Sequence, residues 1–285
     1  MKTLLKNANR LILKTRGRFV SLTAIVALGT AFFIGISAVS SVMAASVKEY
    51  DDKMNLKDIT IYSNYGFDDD DVAALNKMDS VALAEGAKFT DVLAGDNQDT
   101  VVTRIHSYSP DAQINKFVLT EGRLPENCHE VLSDKGNTIL PGFPVGAQIK
   151  LSRPDNDLDD ILSVDTVTVV GIIETPLYLS GTKEPTTLSN QVMRTFLYIP
   201  EEAFVQDFYT EMNVLIKDGK SYDEFSEEYR NYASSIKDEI TVLAETQKDS
   251  RRDKIVDEAM EEYNSGLEEY HDGLAKYHKE TTNAA

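Results

Sequence analysis

The sequence predicts an α+β protein with an N-terminal transmembrane helix, a mixed sheet domain with short helices, and a long C-terminal helix that starts a coiled-coil stalk. Three observations support this fold class. The positions from Phe19 to Val47 carry no charge, alternating apolar segments begin near residue 57, and apolar residues recur at helical spacing near the end. We therefore predict a leader over 1–18, a span over 19–47, a core domain over 48–220, and a helical region over 221–285.

The segment from Phe19 to Val47 is long enough to cross a lipid bilayer, because about 20 apolar residues span the hydrocarbon core. Basic residues favour the cytoplasmic side of a membrane. Six of them, and no acidic residue, precede the segment: Lys2, Lys6, Arg10, Lys14, Arg16 and Arg18. We therefore predict a protein of the cell membrane whose N-terminus is cytoplasmic and whose residues after about 48 are extracytoplasmic.

The leader before the span has helical amphipathy, with its basic side chains away from an apolar face. The residues at helical spacing on that face are Leu4, Leu5, Ala8, Leu11, Ile12 and Thr15. Such a segment can lie along the inner membrane surface. The alternative is a signal peptide cleaved after Ala44, because Val42-Met43-Ala44 fits the small-residue cleavage pattern. The long leader and the long apolar run favour the membrane anchor.

The segment after the span is strongly acidic. It holds all 47 acidic residues and all but six of the 29 basic residues of the chain. An excess of negative charge argues against nucleic acid as a ligand and is typical of a well-solvated surface. The single cysteine, Cys128, excludes an internal disulfide, so stability must come from a packed core.

Alternating apolar segments after residue 57 predict the mixed sheet. Lys57–Tyr62 alternates as a strand, and the acidic run Asp68–Asp71 opens a short helix over Asp69–Met78. Eight further strands are predicted between Gly- and Pro-containing turns: Val81–Leu93, Thr100–Tyr108, Lys116–Thr120, Glu130–Ser133, Ala147–Ser152, Val164–Ile173, Arg194–Ile199 and Met212–Lys217. Many strands among few short helices favour sheets packed under helices.

The C-terminal region is predicted to be helical. Ser221 begins it with a capping box, because Glu224 follows three residues later, while Asp238–Leu243 stays open between strand and helix. Gly266 and Gly273 weaken an isolated helix by about 1 kcal/mol each, so this region requires a partner surface. Apolar residues alternate spacings of four and three, as in a coiled-coil seam: Val256, Met260, Tyr263, Leu267, Tyr270, Leu274 and Tyr277. The alternative is an amphipathic helix lying on its own domain.

A search for catalytic and metal-binding patterns returns little. The sequence has no Gly-x-x-x-x-Gly-Lys-Ser/Thr loop, which excludes P-loop nucleotide hydrolysis by this chain. The four histidines lack metal-ligand spacing, and the acidic run from Asp155 to Asp159 lacks two defining residues of a calcium loop. Cys128 and His129 are neighbours in sequence, which does not make a nucleophile and its base. We therefore assign no catalytic residue, no cofactor-binding residue and no metal ligand.

Several stretches together resemble a known family. They are Gly17-Arg18-Phe19, Asn55-Leu56-Lys57-Asp58-Ile59, Gly66–Val72 (GFDDDDV), Glu121–Pro125 (EGRLP), Thr175–Ser180 (TPLYLS) and Phe196–Pro200 (FLYIP). Their order and spacing resemble FtsX-like ABC transporter permeases of Gram-positive bacteria, over most of residues 10–217. In that family a first span is followed by a MacB-like periplasmic core domain and, in many members, by a long helical hairpin. The chain departs from the pattern at Gly181–Glu184, which lacks an expected Arg-Gly, and in having no later span.

The resemblance implies a role without a reaction. A separate ABC ATPase subunit would drive motions of the outer domain, for export or for transmission of force, and this chain would not be an enzyme. The implied partners are that ATPase, the lipid bilayer, and further permease spans or a second permease copy, and no cofactor is expected. Because the seam lacks a helical partner within the sequence, we expect a partial permease. The alternative is a single-span adhesin or sensor with a self-associating coil.

Overall fold

The computed structural model describes residues 6, 10, 13–95, 100–136, 142–154, 157–178, 186, 188 and 193–283. The helices are α1 (Arg16–Met54), α2 (Asp69–Asn76) and α3 (Glu227–Asn283). The strands are β1 (Ile59–Phe67), β2 (Val81–Ala87), β3 (Phe89–Gly95), β4 (Thr100–Tyr108), β5 (Val118–Gly122), β6 (Glu130–Asp134), β7 (Gln148–Ser152), β8 (Thr166–Glu174), β9 (Thr195–Pro200) and β10 (Tyr209–Ile216). Short 3-10 helices lie at Pro176–Tyr178, Glu201–Ala203 and Gly219–Ser221.

These elements form two compact units. Unit 1 comprises Met1–Leu56 and Phe89–Gln206, and unit 2 comprises Lys57–Lys88 and Asp207–Ala285. The segment 48–220 that we predicted as one core domain contributes to both units. Unit 1 is thus a long insertion between two strands of unit 2, with α1 attached.

Unit 1 contains a seven-stranded mixed sheet in the order β5-β8-β6-β9-β4-β3-β7. Its β4–β9 and β6–β8 pairs are parallel, and its other strand pairs are antiparallel. The last strand, β7, also pairs with the beginning of β8, while β5 pairs with the end of β8. Six strands therefore close into a ring, which leaves β5 as an extension of one edge.

The ring has its own aliphatic core. Alternate residues of β8 are buried, as expected when one face of a strand is inside. The core includes Val92, Ile105, Val167, Leu197 and Ile199. A second cluster, built around Phe196 and Tyr198, lies on alternate positions of the same strands. The expected packing of sheets under helices is therefore wrong for this ring, because strand side chains fill it.

Unit 2 follows the expected packing of helices on a sheet. Its antiparallel sheet has the order β1-β10-β2, so β1 and β2 are parallel and β10 lies between them. One face carries α2 and the first turns of α3, which share a core that includes Leu75, Ala84, Val214, Ile236 and Ile240. The connection from β1 through α2 to β2 is therefore a split β-α-β unit.

The predicted strands lie at the right places in the sequence, but some of their predicted bounds differ from those observed. Thr100–Tyr108 is confirmed as β4, whereas the predicted strand Val81–Leu93 is two strands that meet at Lys88. The chain passes from unit 2 to unit 1 at that residue, and the two strands join different sheets. Continuous apolar alternation cannot reveal a change of sheet, because it reports burial and not the pairing partner.

The predicted capping box at Ser221 is wrong. Ser221 ends a 3-10 helix, and α3 begins at Glu227. Ser226 caps α3 instead, because its Oγ accepts a hydrogen bond from the Tyr229 amide at 3.1 Å. The open segment Asp238–Leu243 is helical and lies inside α3.

Candidate functional site

The predicted span Phe19–Val47 lies within α1, an uninterrupted helix of 39 residues. Its most apolar 18-residue stretch has a mean hydropathy of 2.2 and is not buried inside the protein. Phe32 and Phe33 are about 70% exposed, as expected of side chains that face lipid. Among the described residues α1 is the one helix long and apolar enough to cross a membrane. Leu4, Leu5, Ala8, Leu11 and Ile12 lie outside the described residues, so the amphipathic leader stays a prediction.

Helix α1 continues beyond Val47, and its end is held on the segment 113–116 of the same unit. It ends where Asn55 adopts the left-handed conformation, with φ at 50°, which asparagine tolerates better than most residues. The Lys116 amide donates to the Met54 carbonyl at 2.8 Å, and the Asn115 amide donates to the Asn55 carbonyl at 2.9 Å. The Asn55 side-chain amide donates to the Gln113 carbonyl at 2.9 Å. Three hydrogen bonds therefore hold the end of the span helix on the segment 113–116.

The same helix end contains a buried carboxylate. Asp51 is 6% exposed, and its Oδ1 has no hydrogen-bond partner among the described residues. Met54 is buried beside it in the last turn. A negative charge near a helix C-terminus is also opposed by the helix dipole. The docked end of α1 therefore contains one destabilising group.

The first turn of α3, which we call its root, is hydrogen-bonded to Asp58, the residue just before β1 in unit 2. The Tyr229 hydroxyl donates to Asp58 Oδ1, and the Ile216 amide donates to Asp58 Oδ2 at 2.8 Å. The Asp58 amide in turn donates to the Val214 carbonyl. Burial, and then the hydrogen bond to Asp58, raise the pKa of Tyr229 above its usual value, so the phenol stays protonated. Asp58 thus connects β1, β10 and α3.

The predicted seam lies on the exposed part of α3. Val256 and Met260 are each 52% exposed, Leu267 is exposed, and Leu274 is half-buried, while the side chain of Tyr277 lies outside the described part. At about 100° per residue, these positions lie roughly opposite Ile236 and Ile240, which pack on the sheet. The seam is therefore separate from the face that docks on unit 2, and a coiled coil stays a prediction.

Unit 1 contains a buried polar and aromatic cluster that the sequence did not indicate. Arg104 makes two hydrogen bonds to Asp91, from Nε at 2.7 Å and from Nη2 at 3.1 Å. Two positions along β4, His106 bonds through Nε2 to the Tyr178 hydroxyl at 2.9 Å. Aromatic rings surround that imidazole, with the Tyr198 ring centroid 5.4 Å away. The paired register of β3 and β4 places these residues together, which a single sequence does not give.

The EGRLP stretch is held by an ion pair. Arg123 donates from both terminal guanidinium nitrogens to the two carboxylate oxygens of Glu130, and the Glu126 amide also donates to Glu130. These hydrogen bonds lower the pKa of Glu130 to about 2. Gly122, with φ at 78°, leaves no room for a Cβ, which would lie 2.1 Å from the Val170 carbonyl oxygen. This stretch is therefore built to fix a turn.

The described side chains do not combine into a metal site. Over the described ranges, no group of three or more His, Cys, Asp and Glu side chains is placed to hold an ion. His129 is exposed and lies 3.4 Å, through Nδ1, from the Thr166 carbonyl. Cys128 is a free, half-buried thiol packed against the aliphatic core. We take as functional candidates the residues that join the elements: Asn55 at the end of α1, and Asp58 with Tyr229 between β1 and α3.

Comparison with known families identifies the architecture. The model of the MacB-like periplasmic core domain family matches residues 21–232, which is more than half of the chain and includes most of the span. This chain belongs to the MacB-like periplasmic core domain family. The resemblance to FtsX-like ABC transporter permeases is thereby confirmed. The MacB-like domain belongs to a permease component of ABC transporters, and the chain is a membrane protein with an extracytoplasmic domain.

Three solved structures are similar to this MacB-like chain. The extracellular domain of the noncanonic ABC-type transporter YknZ from Gram-positive bacteria is 13% identical, with 57% of this chain and 86% of that one covered, at a TM-score of 0.35. The periplasmic region of MacB from Actinobacillus actinomycetemcomitans is 12% identical, with 65% and 75% covered, at 0.32. A domain of a putative permease from Porphyromonas gingivalis is 16% identical, with 56% and 67% covered, at 0.25. These TM-scores are low, so family membership rests on the match over residues 21–232. No protein with a curated description matches the sequence.

Proposed function

We propose that this chain is a permease part of an ABC transporter, in which a separate ATPase on the cytoplasmic side drives motion of the extracytoplasmic domain. The motion would serve export or the transmission of force to an outer partner. Family membership supports the transporter class. The absence of a P-loop sequence supports an ATPase on another subunit.

The observation that carries this proposal is the docked end of α1. A helix that continues from the span into unit 1 and is held there by three hydrogen bonds transmits axial or tilting displacement better than a flexible linker does. Only Asn55 and Leu56 follow α1 before unit 2 begins. In unit 2, Asp58 is bonded to the root of α3. Hydrogen bonds therefore hold both the end of α1 and, three residues later, the start of unit 2.

The orientation that we propose places residues 1–18 in the cytoplasm and residues after about 48 outside. The six basic residues before the span support it, because translocating them would be costly. The leader then lies where it can contact the ATPase or the inner membrane surface. Further permease spans or a second permease copy would complete the membrane part.

The orientation is tested by cysteine labelling in intact cells. In a Cys128→Ser background, Lys150→Cys is placed at an exposed position of unit 1 and Thr15→Cys lies before the span. A membrane-impermeant maleimide should label K150C in intact cells and T15C only after permeabilisation. Labelling of T15C alone would reverse the topology, and a mature N-terminus at Ala45 would show that α1 is cleaved.

The coupling is tested by coexpression with candidate ABC ATPases encoded near the gene. One of them should copurify, and hydrogen exchange of residues 113–116 should change between the nucleotide-free and the vanadate-trapped complex. Asn55→Val should abolish that change while the ATPase still copurifies, whereas the control Asn55→Gly should retain most of it. If no ATPase copurifies and the outer domain instead captures an extracellular ligand, the chain is an adhesin or a sensor.

A further inference from the structure

The outer edge of β2 is covered by a side chain of α2. Strand β2 is the last in the order β1-β10-β2, and within the described ranges no strand pairs with its other edge. At that edge, Asn76 makes two hydrogen bonds to the backbone of Ala84. Its Nδ2 donates to the Ala84 carbonyl at 2.8 Å, and its Oδ1 accepts from the Ala84 amide at 2.9 Å. One side-chain amide thus bonds to both backbone groups of this strand residue.

The pairing of β10 shows that these backbone groups of Ala84 face outward. Ala84 lies opposite Val214 in the antiparallel pair of β2 and β10. The Val214 carbonyl accepts from the Asp58 amide, so the backbone groups of Val214 point towards β1. Opposite residues of an antiparallel pair either exchange both hydrogen bonds or exchange none. Ala84 therefore directs its amide and its carbonyl away from β10, to the edge where Asn76 lies.

Asn76 provides what a neighbouring strand would provide. A residue at the hydrogen-bonded position of an antiparallel pair offers one N–H donor and one carbonyl acceptor to the residue opposite. The asparagine side chain carries the same two kinds of group. A further strand could bond to Ala84 only by displacing the Asn76 side chain.

The regular part of this edge is short, so one blocked residue matters. Pairing between β2 and β10 is regular over Leu83–Ala87. Because successive residues direct their backbone groups to opposite edges, Ala84 and Gly86 are the two residues of this stretch that present groups to the outer edge. Asn76 occupies the first of these two positions. A strand that added here would keep only the second.

The composition of β2 gives the edge little other protection. Natural sheet edges are commonly blocked by charges, by proline or by an irregular strand, because an open edge pairs with other chains. Among the seven residues of β2, Glu85 is the one charged residue and none is proline. The occupant that an open edge would take is a second copy of this chain. Two β2 strands related by a two-fold axis at Ala84 run antiparallel and place the free groups of one Ala84 opposite those of the other.

We propose that Asn76 blocks the outer edge of β2 and thereby prevents two copies of the chain from joining their unit 2 sheets. The side chain is also held from the helix, because Nδ2 donates to the Val72 carbonyl of α2 at 3.0 Å. This third hydrogen bond orients an exposed side chain towards the strand. The end of α2 thus places a substitute for a strand at the edge of the sheet.

The test compares the wild-type 285-residue protein with Asn76→Ala, both purified in detergent over a wide range of protein concentration. Alanine favours a helix more than asparagine does, so N76A should retain α2. At low concentration, peptides covering residues 81–87 should exchange hydrogen roughly tenfold faster in N76A, because the Ala84 amide loses its acceptor. At high concentration, N76A should form dimers by sedimentation velocity, and protection of residues 81–87 should return. In the wild type, exchange of these residues should not depend on concentration.

Absence of dimers in N76A would overturn the proposal, as would dimers in which residues 81–87 stay unprotected. Two further variants separate the blocked edge from a general weakening of α2. Asn76→Asp keeps an acceptor for the Ala84 amide and places a negative charge at the edge, so it should stay monomeric with residues 81–87 protected. Lys77→Ala changes the next residue of the same helix end, which is also exposed, and should behave as the wild type does. Dimers in N76D, or equal dimerisation of K77A and N76A, would contradict a specific role of the Asn76 amide.

Discussion

The Tyr229 hydroxyl donates a hydrogen bond to the Asp58 carboxylate, across 171 residues of sequence. Asp58 is the second residue of unit 2, and Tyr229 lies in the first turn of α3. The Asp58 carboxylate therefore joins the start of unit 2 to the helix that follows the last strand of its sheet. Because Asp58 also accepts from the Ile216 amide, it needs both of its oxygens.

Tyr229→Phe should destabilise unit 2 by about 1–3 kcal/mol, because it leaves one oxygen of a half-buried carboxylate without its donor. Denaturant unfolding of the purified protein, followed by hydrogen exchange of residues 226–232, measures this loss. Tyr263→Phe is the matched control, since Tyr263 is 63% exposed. Equal stability of the two variants would show that the bond to Asp58 does not hold the root of α3.

Asn55→Val should release the end of α1 from the segment 113–116. A β-branched residue at a φ of 50° costs about 1–2 kcal/mol, and the hydrogen bond to the Gln113 carbonyl is lost as well. Asn55→Gly loses the side-chain hydrogen bond to the Gln113 carbonyl and keeps the backbone conformation. Exchange of the Asn115 and Lys116 amides should therefore be fastest in N55V, intermediate in N55G and slowest in the wild type. The reverse order of the two variants would contradict the docked geometry.

Asp51→Asn should stabilise the docked helix end by about 1 kcal/mol. It removes a buried charge that has an unpartnered oxygen and that the helix dipole opposes. Thermal unfolding in detergent measures the change. Asp52→Asn is the control, because Asp52 is partly exposed and makes an ion pair with Lys48 at 3.7 Å, so its loss should change stability little. Destabilisation by D51N would mean that the carboxylate has a partner.

Ser226→Ala should destabilise the first turn of α3 by about 1 kcal/mol, because its Oγ caps the Tyr229 amide. Ser221→Ala should change stability by less than about 0.5 kcal/mol, since Ser221 lies before the helix. The measurement is the denaturation midpoint of both variants. A larger effect at Ser221 would restore the capping box that the sequence predicts.

Acid should weaken the turn that contains Arg123 and Glu130. The folded-state pKa of Glu130 is about 2, below its usual value of 4.5, so the pair stabilises the fold above about pH 4.5. That contribution is lost as the pH falls from there towards 2. The difference in melting temperature between wild type and Glu130→Gln should therefore be largest near pH 7 and shrink below pH 4. A difference that is independent of pH would contradict the assignment.

The sequence predicted best the elements whose burial pattern can be recognised within one continuous segment. The charge-free run to Val47 predicts α1, and alternation predicts β4 with its observed bounds, because burial on one face leaves a direct pattern. The split of Val81–Leu93 at Lys88 was missed, since it depends on which strands pair. Ser221 and Glu224 have the spacing of a capping box, but Ser221 ends a 3-10 helix and α3 begins only at Glu227.

The candidate site was least predictable, because its contacts join distant segments. Asn55 meets residues about 60 positions later, and Asp58 meets Tyr229. Neither pair has a spacing or composition that marks it. Family resemblance supplied the class of protein, whereas the anchors that connect span, sheet and long helix required the three-dimensional structure.

Helix α3 is much longer than the surface on which it rests. Lys254 still bonds to Asp68 at 2.8 Å, and 29 residues follow it to Asn283, or about 44 Å at 1.5 Å per residue. A bend of about 10° at Lys254 would sweep the end of that extension through roughly 8 Å. Displacements too small to disturb the core of unit 2 are thereby amplified into shifts that approach the diameter of a helix.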